Sequence, residues 1–307
     1  MKVRFYSDIH NECRKHQTHP YDDSDDYPSE FSYHYRIPAL PDDKDTVLLL
    51  GGDIDDNLDS LEVFVTRLCE RFRHVFYVTG NHEYYVEPME HFNDGVGGIM
   101  DRVHNFTAFI PSERIGVLIE DVWFCGGTLW TDMDDMNPAR SMSIVNGMMD
   151  YRLIRKDCIS YKEFIKMRQR LLAGDMNSDE YWAISDYRSK NLITQKDVYE
   201  MHREDANNIC NELILPVFGT RKKVVLTHHY PTEIDFPYGH QCDMTRDMTY
   251  AFNCTDCDDL VKMADYWFSG HGHNVGQVNK LGCEVIANAV GYGRYESLPT
   301  RHEAWEI

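Results

Sequence analysis

The tetrapeptide Gly80-Asn81-His82-Glu83 directly follows a short β-rich run, His74–Val78. At average residue usage this tetrapeptide occurs roughly once per thousand chains of this length. Amide, imidazole and carboxylate groups can bind metals or transfer protons, and a glycine lets the backbone bend around a shared centre. The junction therefore predicts a strand that ends at a functional site.

Four further β-rich runs along the chain end in the same way. They are followed by Asp8 and His10, by Gly51-Gly52-Asp53, by His228 and His229, and by Gly270-His271-Gly272-His273. Each cluster alone is compatible with a turn or a buried histidine, but five in succession indicate one site. Open α/β sheets bind ligands beyond the carboxyl ends of their strands, so we expect these side chains to converge. Asp and His together suit divalent metals such as Mn, Zn, Fe, Ni or Co.

The series D-x-H, GD, GNH[DE], H and GHxH, which runs from Asp8 to His273, resembles the calcineurin-like metallophosphoesterase superfamily. The resemblance implies an α/β (α+β) chain with the four-layer metallophosphoesterase fold, a central β-sandwich flanked by helices. It also implies two divalent metal ions. The residues it assigns to the first metal are Asp8, His10, Asp53 and His273, with Asp53 as the bridge, and those that complete the second are Asn81, His228 and His271.

The same resemblance implies that His82 is the catalytic histidine and is not a ligand. Glu83 is expected to orient its ring, and His228 is preferred over His229 as the ligand because it comes first after the strand. Two local matches, at residues 127–131 and 149–152, resemble a microbial and viral subgroup of small metallophosphoesterases.

The chemistry expected from this resemblance is hydrolysis of a small phosphodiester or phosphomonoester, with nucleotides as plausible substrates. A metal-bound hydroxide would attack phosphorus in line. Two divalent ions, two ligand carboxylates and a bridging hydroxide would leave a local charge of about +1. The alternatives are a nuclease on short single strands and a non-catalytic scaffold, and the complete ligand set argues against the scaffold.

Substrate contacts are expected from residues around the metals. Tyr84 and Tyr85 could flank a base or an aromatic leaving group, or could pack the start of a helix. Arg152 and Arg36 are candidate phosphate or ribose contacts, and His229 stands next to the expected ligand.

The net charge of −20 argues against binding of long duplex nucleic acid. The longest aliphatic run, residues 47–50, is far shorter than the roughly 20 residues of a membrane helix, and no apolar leader precedes the first strand. The 9 scattered cysteines suit reduced thiols. We therefore expect a cytoplasmic protein without a membrane partner, in which Cys254 and Cys257 form a lone C-x-x-C of ordinary loop residues. Neither the native metal nor the oligomeric state can be predicted.

One domain is expected over residues 1–307, with a mostly helical insertion at about 132–219 and an exposed, acidic and aromatic loop at about 20–38. Helices are predicted to begin near Asp59, Ser160 and Thr194, the first with a capping box to Glu62. A hairpin is predicted around Lys280-Leu281-Gly282.

Overall fold

The computed structural model describes residues 1–15, 31–113, 115–156, 191–215, 220–237, 246–296 and 298–307, together with 166, 169–170, 173–175 and 177. Two β-sheets form its centre. The strands are β1 (Lys2–Tyr6), β2 (Thr46–Gly51), β3 (His74–Val78), β4 (Phe106–Ala108), β5 (Val117–Ile119), β6 (Val122–Gly127), β7 (Lys222–Thr227), β8 (Tyr266–Ser269), β9 (Val275–Lys280), β10 (Cys283–Asn288) and β11 (Trp305–Glu306). One sheet has the order β11-β1-β2-β3-β4 and the other β5-β6-β7-β8-β10-β9. In each sheet the central strands are parallel, and β11, β5 and β9 pair antiparallel at the edges.

The two sheets pack face to face through aromatic and β-branched side chains. Phe76 of β3 stacks on Phe124 of β6 with ring centroids 4.7 Å apart, and Phe5 of β1 meets Phe268 of β8 at 5.3 Å. All four rings are at most 1% exposed. Strands of a sheet that is buried on both faces have continuous apolar sequences, which explains the apolar run at residues 46–50.

Helices cover the outer faces of the sandwich. They are α1 (Asn11–Arg14), α2 (Leu58–Arg71), α3 (Met89–Arg102), α4 (Met133–Met136), α5 (Pro138–Gly147), α6 (Asp150–Leu153), α7 (Gln195–Ile214), α8 (Arg246–Thr249) and α9 (Asp258–Val261). Helices α2 and α3 pack on β3 and β4, and α7 packs on β6. The expected four-layer arrangement, a β-sandwich flanked by helices, is confirmed.

Two helix starts can be compared with the sequence predictions. Helix α7 begins where the sequence predicted, with Thr194 as its N-cap in a capping box completed by Asp197. The capping box at Asp59 was wrong, because α2 begins one residue earlier and its cap is Asn57, whose side chain accepts a hydrogen bond from the Ser60 amide. Asn is a favoured N-cap residue because its side-chain carbonyl can accept a hydrogen bond from a free backbone amide of the first turn.

The described part of residues 132–219 contains α4, a short turn whose φ angles are left-handed, and α5 to α7. Of the helix predicted from Ser160, only residues 166 and 169–170 are described, and the rest lies outside the described residues. Residues 20–30 of the acidic loop also lie outside them. Of the rest, residues 31–38 form a loop in which His34 and Ile37 are buried, so the expected exposure was wrong there. The hairpin is confirmed as β9 and β10, which pair antiparallel.

Among the described residues, no helix has both the length and the apolar character to cross a membrane.

Candidate metal centre

The carboxyl ends of five parallel strands meet at one edge of the sandwich. Strands β1, β2 and β3 come from one sheet and β7 and β8 from the other, and a bridge between Ser7 and Ala289 joins the sheets at this end. The seven candidate ligands that follow these strands are between 0% and 6% exposed. The candidate ligand atoms of Asp8, His10 and His273 lie within 4.8 Å of one another, and so do those of Asp53, His228 and His271. Asn81 joins the second group through Oδ1, 3.1 Å from His228 Nε2.

The first group contains Asp8, His10 and His273. The Nε2 atoms of the two histidines are 3.1 Å apart, and His273 Nε2 is 3.6 Å from Asp8 Oδ1. Each Nδ1 faces a carboxylate, Glu12 at 3.0 Å for His10 and Glu296 at 2.6 Å for His273. A neutral ring that donates from Nδ1 keeps a lone pair on Nε2. Two such lone pairs at this distance repel unless a cation lies between them, either a proton or a metal ion.

The pKa values of these two histidines are shifted in opposite directions. Burial, with the neighbouring His82, lowers the pKa of His10 to about 4. For His273 burial acts in the same direction, but Asp8 and Glu296 outweigh it and the pKa is raised. A neutral imidazole is the form that binds a metal, so burial prepares His10 for that role.

The second group contains His228, His271 and Asn81. His228 Nδ1 donates to the Gly51 carbonyl at 2.7 Å, which leaves a lone pair on Nε2. That Nε2 lies 3.1 Å from both Asn81 Oδ1 and His271 Nδ1. Burial lowers the pKa of His228 to about 3 and that of His271 well below its ordinary value. Neutral nitrogen and amide oxygen atoms thus converge on one point, as they do around a metal.

The orientation of Asn81 is fixed by its neighbours. Its Nδ2 donates to Asp150 Oδ1 at 2.9 Å and to the Tyr85 hydroxyl at 3.0 Å, so its carbonyl oxygen must face His228. The Tyr85 hydroxyl itself donates to Asp150 at 2.6 Å. Sequence reasoning missed Asp150, although it stands in one of the two local matches.

Asp53 lies between the two groups. Its Oδ2 is 3.7 Å from His10 Nε2, and its Oδ1 is 3.5 Å from His228 Nε2. Burial, with the charges of Glu83 and Asp8, raises the pKa of Asp53 well above its ordinary value. The Asp53 carboxylate is therefore costly to ionise unless a cation is nearby, and its two oxygens face one histidine of each group. These are the properties of a carboxylate that bridges two metal ions.

Two buried polar atoms of the cluster lack a hydrogen-bond partner within the described residues, namely Asp8 Oδ2 and His271 Nε2. Buried polar atoms are normally paired, so such atoms call for an explanation. Oxygen and imidazole donors at this density fit a divalent transition metal. The residues present therefore fit the metal ions that the resemblance implies.

Backbone strain is concentrated at the same place. The candidate ligands with left-handed φ angles, between 48° and 65°, are Asp8, His10, Asp53, His271 and His273. This conformation is uncommon for residues other than glycine and costs free energy, and it recurs at functional sites. Glycine is needed at Gly80, where a Cβ would lie 2.1 Å from Asp53 Oδ1 and 2.7 Å from His228 Cε1.

His82 lies beside the cluster at the wall of a cavity. Its amide donates to Asp53 Oδ1 at 2.9 Å, and its ring, whose side chain is 19% exposed, packs against Tyr85 at 4.3 Å. The carboxylate near the ring is Glu12, whose Oε1 is 3.3 Å from His82 Nδ1. Burial raises the pKa of Glu12, but the nearby His10 and His82 lower it by more, so the pKa is lowered overall. Sequence reasoning missed Glu12.

Glu83 has a different set of contacts from the expected one. Its carboxylate accepts hydrogen bonds from the amides of Asp53, Ile54 and Gly80 and from the Tyr77 hydroxyl, at 2.8 to 3.0 Å. The residue is fully buried. Glu83 therefore joins the loops after β2 and β3 and positions Asp53. The carboxylate beside the His82 ring is that of Glu12.

The cavity has a volume of about 320 Å³ and opens over the cluster. Besides His82 and candidate ligands, it is lined by aromatic, methionine and glycine residues: Tyr85, Gly147, Met148, Met149, Phe252, Gly272 and Tyr292.

Of the predicted substrate contacts, only Tyr85 lines this cavity. Tyr84 is buried in the core, where its hydroxyl donates to Asn93 Oδ1 and is hydrogen-bonded to the Thr79 hydroxyl. Arg152 is exposed on α6 and donates to the Asn146 carbonyl. His229 is buried, with Nδ1 at 3.3 Å from the Thr128 carbonyl. Arg36 is half-buried in the loop before β2.

Comparison with known proteins identifies the family of the chain. The model of the calcineurin-like phosphoesterase family matches residues 1–156, just over half of the chain. The chain belongs to this family. It is a phosphoesterase of a family that generally uses divalent metal ions.

Two similar proteins extend over nearly the whole chain. The uncharacterized protein L509 of Acanthamoeba polyphaga mimivirus is 25% identical over 300 residues, which cover 94% of this phosphoesterase and 91% of that protein. The crystal structure of phosphopantetheinyl hydrolase from Mycobacterium tuberculosis has a TM-score of 0.54 at 15% identity, and the match covers 95% of this chain and 90% of that one. At that identity the likeness shows the fold alone.

Proposed function

We propose that this phosphoesterase hydrolyses a small phosphate ester at a centre of two divalent metal ions held by the seven candidate ligands. Asp8, His10 and His273 hold one ion and Asn81, His228 and His271 the other, with Asp53 between them. The observation that carries the proposal is the convergence of lone pairs on both sides of Asp53, at 3.1 Å between histidines in each group. The donor set suits Mn, Zn, Fe, Ni or Co.

Two bound divalent ions would supply an activated water and positive charge for the phosphate oxygens. The chain's own residues supply the proton that the leaving oxygen needs. In this proposal His82 donates from Nε2 to the leaving oxygen, while Glu12 holds Nδ1 and the packing of Tyr85 limits rotation of the ring. Glu83 fixes the Asp53 loop, so that the acid and the ligands keep their relative positions.

The cavity favours a small ester with an apolar or aromatic substituent, such as a nucleotide. Its volume of about 320 Å³ is at the lower end of ordinary ligand pockets. Phe252, Tyr292 and Met148 provide walls on which a base or another flat group can lie. Among the described residues that line it there is no Lys or Arg, and the net charge is −20. Both features disfavour a long polyanion, so a nuclease acting on short single strands remains the second candidate.

The test is a metal-loaded substrate panel. Protein freed of metal and reloaded with Mn or Zn is assayed on p-nitrophenyl phosphate, bis-p-nitrophenyl phosphate, cyclic nucleotides and a short single strand. We expect metal-dependent turnover of the small esters, its loss in Asp53→Asn, and its retention in Asp94→Asn, which changes an exposed carboxylate on α3. Preference for the single strand would support the nuclease. Two bound metals without turnover of any compound would refute the proposal.

A further inference from the structure

A second group of metal-capable side chains lies outside the candidate metal centre. Cys254 and Cys257 stand in the segment before α9, and the fold brings His202 of α7 to them. All three residues are at most 1% exposed, and their potential ligand atoms lie within 4.8 Å of one another. The sequence showed only a lone C-x-x-C, because its third partner is 52 residues away.

The tautomer of His202 is set by a backbone carbonyl. Its Nδ1 donates to Leu129 O at 2.9 Å, so the lone pair of the neutral ring is on Nε2. A bond from Nδ1 to a backbone carbonyl is the usual way in which proteins orient a metal-binding histidine. The fold thus holds His202 with Nε2 available on the side of Asp256, while Cys254 Sγ lies 3.6 Å from Nδ1 of the same ring.

A fourth donor completes the group. Asp256 Oδ1 lies 2.9 Å from His202 Nε2 and 3.4 Å from Cys257 Sγ. For ligands at about 2.1 and 2.3 Å in a tetrahedron, the oxygen–sulfur edge is about 3.6 Å, close to the observed distance. A lone pair on Nε2 and a carboxylate oxygen at 2.9 Å need a cation between them. Either a proton on His202 or a metal ion can meet that need.

The donor atoms of these side chains indicate which metal ion the site would bind. Two thiolates, one imidazole and one carboxylate form a soft and borderline donor set that suits zinc in tetrahedral geometry, and two residues between the cysteines is an ordinary spacing for such sites. Binding releases the protons of both thiols, and the net charge of the site becomes about −1. The Cys254 thiol donates to the Trp130 carbonyl at 3.2 Å.

The position of the group gives the ion a structural task. The Cys254 amide donates to Tyr230 O at 2.9 Å, and Phe252, two residues earlier, packs against His271 with ring centroids 4.6 Å apart. An ion held by His202 and the two cysteines would therefore tie α7 to the segment that carries the Phe252 wall of the cavity.

We propose that His202, Cys254, Asp256 and Cys257 bind a structural zinc ion, separate from the two ions of the candidate metal centre. The candidate centre has only nitrogen and oxygen donors, whereas this site contains two sulfurs. That difference allows the two sites to be observed separately in the same protein.

The experiment uses the full chain, reduced, freed of metal and titrated with Co²⁺. Cobalt bound by thiolates shows a sulfur-to-metal charge-transfer absorption in the near ultraviolet, which nitrogen and oxygen ligands do not produce. We expect its final intensity to correspond to one thiolate-bound cobalt per chain, whatever amount of cobalt the candidate metal centre also takes up. It should disappear in Cys254→Ser and Cys257→Ser, and it should persist in Asp53→Asn and in Cys125→Ser, which changes a buried cysteine of β6. Zinc content should fall by one equivalent in the first two variants and should not change in Cys125→Ser.

The measurement on the unsubstituted chain does not depend on whether a variant folds. Absence of the charge-transfer absorption in chain whose thiols are shown to be reduced would overturn the proposal, and His202 would then be protonated and paired with Asp256. A disulfide between Cys254 and Cys257, detected by mass spectrometry of the unreduced protein, would overturn it too. Failure of the phosphoesterase assay would leave this result unaffected.

Discussion

The Nδ1 atom of His82 lies 3.3 Å from Glu12 Oε1, and the same oxygen lies 3.0 Å from His10 Nδ1. One carboxylate oxygen thus contacts both a histidine of the cavity wall and a candidate metal ligand. Removing the charge of Glu12 should therefore affect metal binding and proton transfer together.

We expect Glu12→Gln to weaken metal binding about 10- to 100-fold, the usual cost of losing a partner behind a ligand histidine. At saturating metal, kcat should still be reduced about tenfold, because His82 also loses its carboxylate, and KM should change little. The matched control is Glu296→Gln, which changes the corresponding carboxylate behind His273. Metal titration and steady-state kinetics give both readouts. An unchanged kcat at saturating metal would show that Glu12 serves His10 alone.

Replacing His82 tests its role as the acid. His82→Gln should lower kcat by about 10²- to 10⁴-fold for esters of poor leaving groups. The loss should be smaller for p-nitrophenyl esters, because p-nitrophenolate needs little protonation. Metal content should not change, since His82 is not a proposed ligand. His104→Gln, an exposed histidine, is the control. Equal losses for good and poor leaving groups would contradict proton donation.

Gly80 lies where the loops after β2, β3 and β7 approach closely. In Gly80→Ala, the new methyl group would meet Asp53 and His228, so we expect loss of bound metal and of activity. Gly97→Ala is the matched control, because nothing lies within 4 Å of its Cβ position in α3. That change should stabilise the protein by about 0.5–1 kcal/mol. Metal analysis and chemical denaturation of both variants test this pair, and a Gly80→Ala protein with full metal content would contradict it.

The adjacent tyrosines allow a direct comparison. Tyr84→Phe leaves the buried Thr79 and Asn93 with one partner fewer, so the free energy of unfolding should fall by about 1–2 kcal/mol without a change in KM. Tyr85→Phe removes the hydroxyl that contacts Asp150 and Asn81, so metal affinity should fall while stability changes less. The reverse pattern in denaturation and metal titration would contradict the assignment of Tyr84 to the core and Tyr85 to the site.

The strands that carry the candidate ligands were predictable because each is an apolar run with polar, metal-capable residues at its end. Strand β6 was missed, although it is central in the second sheet, because its run ends in Gly126 and Gly127 rather than in such residues. There glycine serves packing, since a Cβ on Gly126 would lie 2.2 Å from the Leu226 carbonyl of β7.

The supporting residues could not be predicted, because their roles depend on contacts between distant segments. Asp150 is 69 residues from Asn81 along the chain, and no local spacing indicates that it fixes the Asn81 amide. Glu12 is near His10 in sequence, but its contact with His82 requires the loops after β1 and β3 to meet. A motif identifies the ligands, whereas the groups that orient them are set by the fold.

The folding stability of the chain should depend on His34, which is not a proposed ligand. Burial, with the charges of Arg67 and Lys15, lowers the pKa of His34 to about 4. The unfolded chain, with an ordinary histidine pKa near 6.5, binds this proton first, so stability is fully present above that value and is lost as pH falls toward 4. The full loss is about 3 kcal/mol. Chemical denaturation at several pH values should give a shallower pH dependence for His34→Gln, and equal slopes in the two proteins would contradict the prediction.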